Sequence, residues 1–274
     1  MQRLDGGSVV PAALRAGIVA LGNFDGFHLG HQAVVGRAVE RARAEGRPAL
    51  VATFDPHPVR HFRPDTAPFR LTTLDQRERL FAEAGADAMI VFQFDTALAA
   101  LSAVEFVGDR LLDTIGIGGV VTGEDFTFGK AKSGTVAVLA DLGRKNGFSV
   151  DTVGPVMLDG EPVSSSRIRA LLEAGDPRGA ARLLTRPFAV AGTVQHGDKL
   201  GRTIGYPTAN LDMGSYLRPA YGIYAVRGRL PDGRVLDGAA NLAFARVSIP
   251  PRNCSSRSSS IFPKISMARR SRSP

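Results

Sequence analysis

Short apolar runs alternate with longer amphipathic segments through the first half of the chain. Short apolar runs bounded by turn residues are typical of buried strands, and the longer segments have the periodicity of helices. The alternation predicts an α/β domain built on a parallel sheet. The predicted strands are 17–21, 49–54, 89–92, 119–122 and 148–153, and the predicted helices are 32–44, 73–84, 103–115, 136–145 and 167–173.

The pattern changes near Arg186 and Pro187. Strand-like segments at 188–194 and 221–228 are then separated by clusters of glycine, proline and aspartate. Short strands with frequent turns indicate an all-β module, most simply a small barrel. We therefore predict three regions: an α/β domain over 1–186, a partial all-β domain over 187–245, and a tail of different composition over 246–274.

The positive charge of the chain is concentrated in that tail. The full sequence has 34 Lys and Arg against 26 Asp and Glu, a net charge of +8, and the tail holds seven of the basic residues and no acidic ones. Residues 1–245 therefore carry 27 basic and 26 acidic residues, a net charge of +1. Such a nearly neutral body does not indicate a nucleic-acid partner.

Two other features of composition narrow the class of protein. No apolar stretch reaches the roughly 20 residues that cross a membrane, so no membrane partner is expected. The single cysteine, Cys254, excludes an internal disulfide and a cysteine-based zinc cluster. We expect a soluble cytoplasmic protein.

The strongest chemical motif follows the first predicted strand. A strand, a turn and a helix start place backbone N–H groups and the positive end of a helix dipole at one edge of the sheet, which suits an anion. Nucleotidyl transfer needs such positioning and charge stabilisation on a phosphate, not a covalent nucleophile. The segment reads Gly22-Asn23-Phe24-Asp25-Gly26-Phe27-His28-Leu29-Gly30-His31.

The two histidines of this segment lie three residues apart, so both imidazoles can face one phosphate on the first helical turn. Gly30 lets a nucleotide approach the backbone closely. An ordinary polar turn would be the better interpretation of an isolated His-x-x-His pair. A metal site is a weaker alternative because no third ligand is evident nearby.

The segment His28-Leu29-Gly30-His31 resembles the His-x-Gly-His motif of the nucleotidylyltransferase superfamily. Three further segments carry the resemblance. Phe54-Asp55-Pro56-His57-Pro58 follows the second predicted strand, and Gly123-Glu124-Asp125-Phe126-Thr127-Phe128-Gly129-Lys130 follows the fourth. The third segment is Val163-Ser164-Ser165-Ser166-Arg167-Ile168-Arg169. In this order they resemble the adenylyltransferase half of the bacterial bifunctional riboflavin kinase/FAD synthetase family. The resemblance runs through residues 15–245.

The resemblance implies a Rossmann-like nucleotidyltransferase domain that transfers AMP from ATP to FMN with Mg²⁺ present. A plain helix cap with a solvated arginine is the alternative for 164–169, and a proline-stiffened loop is the alternative for 55–58. The implied catalytic residues are His28 and His31. The implied ATP-binding residues are Gly22, Asn23, Phe24, Gly30, Ser164, Ser165 and Arg169, and the implied flavin-binding residues are Asp55, Pro56, His57, Pro58, Asp125, Phe126 and Phe128.

The all-β module resembles the riboflavin kinase half of the same proteins over residues 192–210. Its glycine-rich turn can bind phosphates through backbone N–H groups, and Thr208 and Asn210 offer neutral oxygens to Mg²⁺. A glycine-rich hairpin, the alternative, does not explain the string 207–210. The implied ATP and Mg²⁺ residues are Gly197, Lys199, Gly201, Thr208 and Asn210, with Thr208 as the metal ligand.

The resemblance ends after Ala240-Asn241-Leu242. The family continues with an Arg-Pro-x-Phe element and a later catalytic glutamate, whereas the tail has no carboxylate that could act as a general base. We therefore expect a disordered tail and impaired riboflavin phosphorylation. One hypothesis for the tail is a shifted reading frame, which resequencing of codons 240–248 would test.

Three other functions stay open from the sequence. The chain could adenylylate another phosphorylated acceptor, such as a pantetheine or nicotinamide nucleotide, although the kinase-like module argues against this. It could be a flavin-binding remnant without catalysis. A nucleic-acid binder is the weakest alternative because the positive charge lies in the tail.

Overall fold

The computed structural model describes residues 1–195, 209–242, 247–249 and 264–270. The chain divides into two compact units. The first comprises Met1–Thr66 and Leu74–Pro162, and the second comprises Ala67–Thr73 and Val163–Pro274. A short segment of the first half of the sequence therefore belongs to the second unit.

The first unit is built on a six-stranded parallel sheet with the order β1-β4-β3-β2-β5-β6. The predicted parallel α/β fold is confirmed. The sequence pattern did not indicate β1, which pairs with β4 at one edge of the sheet. The strands are β1 (Gln2–Asp5), β2 (Ile18–Leu21), β3 (Ala49–Asp55), β4 (Ala88–Gln93), β5 (Gly119–Gly123) and β6 (Ser149–Val153).

Helices connect these strands and cover the sheet. Residues 103–115, predicted as one helix, form a short α-helix that passes into a π-helix. The helices are α1 (Leu29–Glu45), α2 (Pro58–Phe62), α3 (Leu74–Glu83), α4 (Thr96–Ala100), α5 (Ala103–Glu105) with the π-helix Phe106–Ile115, and α6 (Val136–Asn146). Short 3₁₀ turns lie at Ala12–Leu14 and Lys130–Lys132. A small antiparallel hairpin is formed by β7 (Met157–Leu158) and β8 (Glu161–Pro162).

Both faces of the parallel sheet are buried. Along β2, Val19 and Leu21 pack into one apolar cluster with side chains of the π-helix, whereas Ile18 and Ala20 pack into another with α1. Alternate residues of a strand point to opposite faces, so a strand that is covered on both sides is apolar at most positions. This explains why β2 appears in the sequence as a continuous apolar run.

The second unit combines two helices with an antiparallel sheet. In the described part of the chain this sheet has seven strands in the order β10-β11-β14-β13-β12-β15-β9, in agreement with the predicted all-β module. Its elements are α7 (Ser165–Glu173), α8 (Pro177–Leu184), β9 (Phe188–Ala191), β10 (Val194–Gln195), β11 (Ala209–Leu211), β12 (Gly222–Arg229), β13 (Val235–Leu242), β14 (Val247–Ile249) and β15 (Lys264–Arg270).

The structure differs from the predicted organisation at two places in this unit. The predicted α/β domain includes 163–186, but α7 and α8 group with the second unit because the apolar face of α8, with Leu183 and Leu184, is buried there. Two segments of the tail expected to be disordered, β14 and β15, form strands. Their backbones supply ladder hydrogen bonds that need no particular side chain, which composition alone does not reveal.

Among the residues that the structure describes, no helix combines the length and the apolar character that a membrane span requires.

Candidate active site

The candidate site lies at one edge of the parallel sheet, where three neighbouring strands end. β3, β2 and β5 are adjacent in the sheet and end at Asp55, Leu21 and Gly123. The chain proceeds from β2 outward to β3 and later returns to the other side of β2 as β5, so the strand order reverses here. Ligands of open α/β sheets bind outside the carboxyl ends of the strands at such a reversal.

The two histidines of the motif form a stacked pair at the start of α1. His28 precedes the helix as its N-cap, and its Nδ1 accepts a hydrogen bond from the His31 backbone N–H at 3.4 Å. The two imidazole rings are 3.6 Å apart between centroids and are inclined by 21°. An imidazole that accepts at Nδ1 can donate only through Nε2. The pair therefore brings two imidazoles to the positive end of a helix dipole.

The turn before the histidines has an unusual backbone that aromatic packing holds in place. Phe24 and Phe27 have left-handed φ angles of 49° and 44°, which side chains adopt only at an energetic cost. Both rings are buried, and both pack edge-on against Phe81 of α3 at centroid distances of 5.7 and 5.1 Å. The apolar core beneath the turn thus maintains the strained conformation.

Asn23 combines a fixed main chain with an available side chain. Its backbone carbonyl accepts hydrogen bonds from Thr53 Oγ1 at 2.9 Å and from Arg77 Nη1 at 3.1 Å. Its side-chain Oδ1 is buried, and no hydrogen-bond partner for it exists among the described residues. Buried polar atoms are nearly always paired in folded proteins, so this amide oxygen is a candidate acceptor for a hydrogen-bond donor of a ligand, such as a hydroxyl or amino group.

The segment after β3 supplies the other side of the site. The Asp55–Pro56 peptide is cis, and His57 caps α2 through Nδ1, which accepts a hydrogen bond from Val59 N–H at 3.2 Å. Pro58 is the first residue of that helix. One oxygen of Asp55 pairs with Arg77 of α3 at 3.3 Å. Both His57 and Asp55 thus have structural partners besides any substrate.

Phe62, the last residue of α2, is a further candidate for the site that no sequence motif contains. Its side chain is 66% exposed although it belongs to an aromatic cluster with His61 and Phe94. The ring centroid of Phe62 lies 5.8 Å from that of Phe94. A large exposed ring held by other rings offers a flat surface to a planar ligand. Its only sequence signal is an aromatic residue four positions after Pro58.

Two of the three flavin-binding residues predicted after β5, Asp125 and Phe126, are accessible at the surface. Asp125 is exposed in the turn that follows the strand, and Phe126 is half-buried. Phe128 belongs to the apolar core, where its ring centroid lies 5.6 Å from that of Phe106. Most of the Phe128 side chain therefore cannot contact a ligand directly. Phe126 stacks on Phe128 at 5.7 Å and 15°. Phe126 and Asp125 are therefore the better candidates in this loop.

The second group of predicted ATP-binding residues belongs to the second unit. Ser164 is the N-cap of α7, and its Oγ accepts a hydrogen bond from Arg167 N–H at 3.2 Å. Ser165 begins the helix. Arg169 donates through Nε to the Phe69 carbonyl at 2.8 Å, and its guanidinium lies 5.1 Å from the Phe69 ring centroid. Arg169 thus contacts the segment Ala67–Thr73, which the sequence did not indicate.

Most of the kinase-module residues lie outside the described residues, namely Gly197, Lys199, Gly201 and Thr208. Asn210 is described. It lies half-buried on β11, where it pairs with Gln195 of β10 and Ser248 of β14. Within the described ranges, no three His, Cys, Asp or Glu side chains form a group that could hold a metal ion.

Comparison with known proteins identifies two families along the chain. The family model described as FAD synthetase matches residues 10–167, which is more than half of the chain. The family model described as riboflavin kinase matches residues 184–251. The first match includes both histidines and the segments after β3 and β5.

Curated relatives match most of the chain under one name, bifunctional riboflavin kinase/FMN adenylyltransferase. The protein from Pseudomonas fluorescens is 41% identical over 228 residues, which cover 83% of this chain and 73% of the relative. The protein from Bacillus subtilis (strain 168) is 38% identical over 230 residues, covering 83% and 72%. The protein from Escherichia coli (strain K12) is 37% identical over 225 residues, covering 82% and 72%.

A solved structure is similar over nearly the whole length. It is described as a macrolide-efflux protein from Streptococcus pneumoniae, and it superposes with a TM-score of 0.84 at 28% identity, covering 99% of this chain and 91% of its own. The two chains therefore share their overall fold.

Substitution of Gly22 by alanine tests the packing of the turn. A Cβ at this position would lie 3.0 Å from Cζ and 3.2 Å from Cε1 of the buried Phe24 ring. We expect Gly22→Ala to destabilise the first unit by about 1–3 kcal/mol, as overpacking of a core does. Differential scanning calorimetry measures the change.

The matched control is Gly36→Ala on α1, where a Cβ would meet no atom within 4 Å. Because alanine is the better helix former, this variant should be more stable than the original chain by about 0.5–1 kcal/mol. An unchanged melting temperature of Gly22→Ala would contradict the tight packing of the turn.

Proposed function

We propose that this chain, which belongs to the bifunctional riboflavin kinase/FMN adenylyltransferase family, transfers AMP from ATP to FMN and releases pyrophosphate. The observation that carries the proposal is the stacked pair of His28 and His31 at the start of α1, which follows the turn that holds Asn23. The match of the FAD synthetase family to residues 10–167 supports FMN as the acceptor.

The proposed reaction is a direct displacement. A phosphate oxygen of FMN attacks the α-phosphorus of ATP, the new P–O bond forms as the bond to the pyrophosphate oxygen breaks, and pyrophosphate leaves. Mg²⁺ held by the phosphates of ATP would neutralise part of their charge. The transition state concentrates negative charge on the oxygens of the α-phosphate, so preorganised N–H donors accelerate the step.

His28 and His31 supply those donors. The backbone N–H of His31 donates to Nδ1 of His28, which fixes the orientation of the ring. We propose that the imidazoles of His28 and His31 donate to the α-phosphate in the transition state. The helix dipole at the start of α1 adds a favourable potential for the same charge. We propose that Asn23 and Gly30 hold the nucleotide on this turn, with Gly22 and Phe24 shaping its backbone.

The flavin is proposed to bind on the α2 side of the sheet edge. Phe62 offers an exposed ring, and Pro56, His57 and Pro58 give the segment before it a stiff backbone. Phe126 and Asp125 follow the strand end on the other side of β2. An isoalloxazine ring is planar and largely apolar, so stacking on an exposed phenyl ring is the expected contact.

The remaining site residues stay proposals that the sequence supports. Ser164, Ser165 and Arg169 are proposed to bind the β- and γ-phosphates of ATP. Gly197, Lys199, Gly201, Thr208 and Asn210 are proposed to bind ATP in the kinase module, with Thr208 as a ligand of Mg²⁺. The cytoplasmic location likewise stays a prediction.

Replacement of the histidines tests the catalytic assignment. Loss of a preorganised transition-state donor lowers kcat by about 10²–10³. We therefore expect that much loss in FAD formation from His28→Ala and from His31→Ala, with KM for FMN changed much less. Steady-state assays that separate FMN from FAD measure both constants. FAD formation at the original rate by His28→Ala would refute this role.

Replacement of Phe62 tests the flavin side independently. We expect Phe62→Ala to raise KM for FMN by about tenfold, since base–aromatic stacking contributes about 1–3 kcal/mol in comparable sites. KM for ATP should change little. The control is Val104→Ala, which shortens a side chain that is similarly exposed, at 62%, on α5. Equal KM values for FMN in the two variants would exclude Phe62 from the flavin pocket.

Riboflavin phosphorylation is proposed to be impaired in this chain. Residues 246–274 contain no Asp or Glu, so they offer no carboxylate base for the riboflavin hydroxyl. With ATP and Mg²⁺, we expect conversion of FMN to FAD but little conversion of riboflavin to FMN. Separation of the flavins after each incubation measures both reactions. Rapid formation of FMN from riboflavin would contradict the proposal.

The same assay distinguishes the alternative functions. Consumption of ATP with a pantetheine or nicotinamide nucleotide, but not with FMN, would indicate another acceptor. Flavin binding without pyrophosphate release would indicate a non-catalytic remnant.

A further inference from the structure

We propose that Arg77 is a positioning residue for adenylyl transfer, which fixes the nucleotide-side turn at Asn23 and the flavin-side strand end at Asp55 relative to each other. The inference rests on the function proposed above. It assigns a role to a residue of α3 that none of the sequence motifs contains.

Arg77 is a buried cation with contacts on both sides of the site. Only 4% of its surface is exposed. Its Nη1 donates to the Asn23 carbonyl at 3.1 Å and to Thr53 Oγ1 at 2.9 Å, with the Phe54 carbonyl at 3.4 Å. Its Nη2 donates to Asp55 Oδ1 at 3.3 Å. One guanidinium therefore bridges the end of β3 and the turn that follows β2.

Thr53 provides a second hydrogen bond to the turn, beside the one from Arg77. Its Oγ1 accepts a hydrogen bond from Arg77 and donates one to the Asn23 carbonyl at 2.9 Å. The carbonyl thus receives two hydrogen bonds, from a side chain of β3 and from a side chain of α3. Asn23 lies directly before Phe24, whose left-handed backbone needs such support from its surroundings.

Stability alone does not explain a charged residue here. The carboxylate of Asp55 is 25% exposed, whereas the Arg77 side chain has lost nearly all its contact with water. Removing a cation from water is costly, and apolar residues of similar size often stabilise a buried site equally well. What an apolar residue cannot do is hold four oxygens from two segments in fixed directions. The planar guanidinium does so because its donors form a rigid fork.

The reaction gives this rigidity a function. The FMN phosphate and the ATP α-phosphorus must meet in line, and a misplacement of about 1 Å can lower the rate about 10²-fold. If Arg77 sets the distance between the two sides of the site, its replacement will reduce kcat more than it weakens either substrate. A residue that only stabilises the fold would lower the melting temperature and leave kcat of the folded enzyme unchanged.

The test compares Arg77→Lys with Arg79→Lys in the full chain. Arg79 lies two positions along the same helix and is exposed, so the control makes the same chemical change outside the network. For Arg77→Lys we expect kcat of FAD formation to fall by about 10- to 100-fold, with KM for ATP and for FMN within about threefold of the original values. Arg79→Lys should match the original enzyme in kcat, both KM values and melting temperature.

A second variant keeps the test decisive if Arg77→Lys folds poorly. Thr53→Val removes the hydroxyl that joins Arg77 to the Asn23 carbonyl and retains the shape of the side chain. We expect a smaller loss of kcat from it, and a double variant that loses less than the product of the two single effects, as coupled residues do. Melting temperatures and circular dichroism spectra establish that each variant is folded.

Two results would overturn the inference alone, given FAD formation by the original enzyme. One is a folded Arg77→Lys variant whose kcat lies within about twofold of the original value, as expected for a conservative change at a site that is not involved in the reaction. The other is an unchanged kcat in Thr53→Val. Absence of FAD formation by the original enzyme would instead overturn the proposed function together with the inference.

Discussion

Burial of both faces of the parallel sheet is the constraint on which the rest of the first unit depends. Helices cover the sheet on each side, so the central strands β2, β3 and β5 are largely apolar along their length. Polar side chains reach substrates only where strands end. The stacked histidines, the segment after β3 and the loop after β5 all lie at that one edge. Fold and site thus follow from the same pattern of apolar residues.

Local signals made much of this predictable. The continuous apolar runs of β2, β3 and β5 indicated buried parallel strands, and the histidine turn indicated the phosphate side of the site. Both signals arise from residues that are adjacent in the sequence, so a single sequence is sufficient to show them. β1 escaped prediction because its Gln2–Asp5 segment is mostly exposed and pairs at an edge, where no apolar run is required.

Contacts between distant parts of the sequence were harder to foresee. Arg77 lies in a helix with charged neighbours, and only the fold shows that its guanidinium is enclosed by oxygens of residues 22 to 54 positions away. Phe62 has the opposite character, an apolar side chain that remains exposed. In the second unit, β14 and β15 form from residues with an unusual composition because strand pairing depends on the backbone. In each case the surroundings, which the local sequence does not contain, determine the role of the residue.

The segment Ala67–Thr73 has a consequence for how the chain can be divided. Arg70 exchanges backbone hydrogen bonds with Ser215 and Leu217, and Arg169 holds the carbonyl of Phe69, so a piece of the N-terminal half completes the C-terminal unit. Cutting the polypeptide between the units at residue 162 would leave those bonds unmade in both fragments. Two activities joined end to end could be expressed separately. Here the covalent order is interleaved, so neither family match along the sequence coincides with one compact unit.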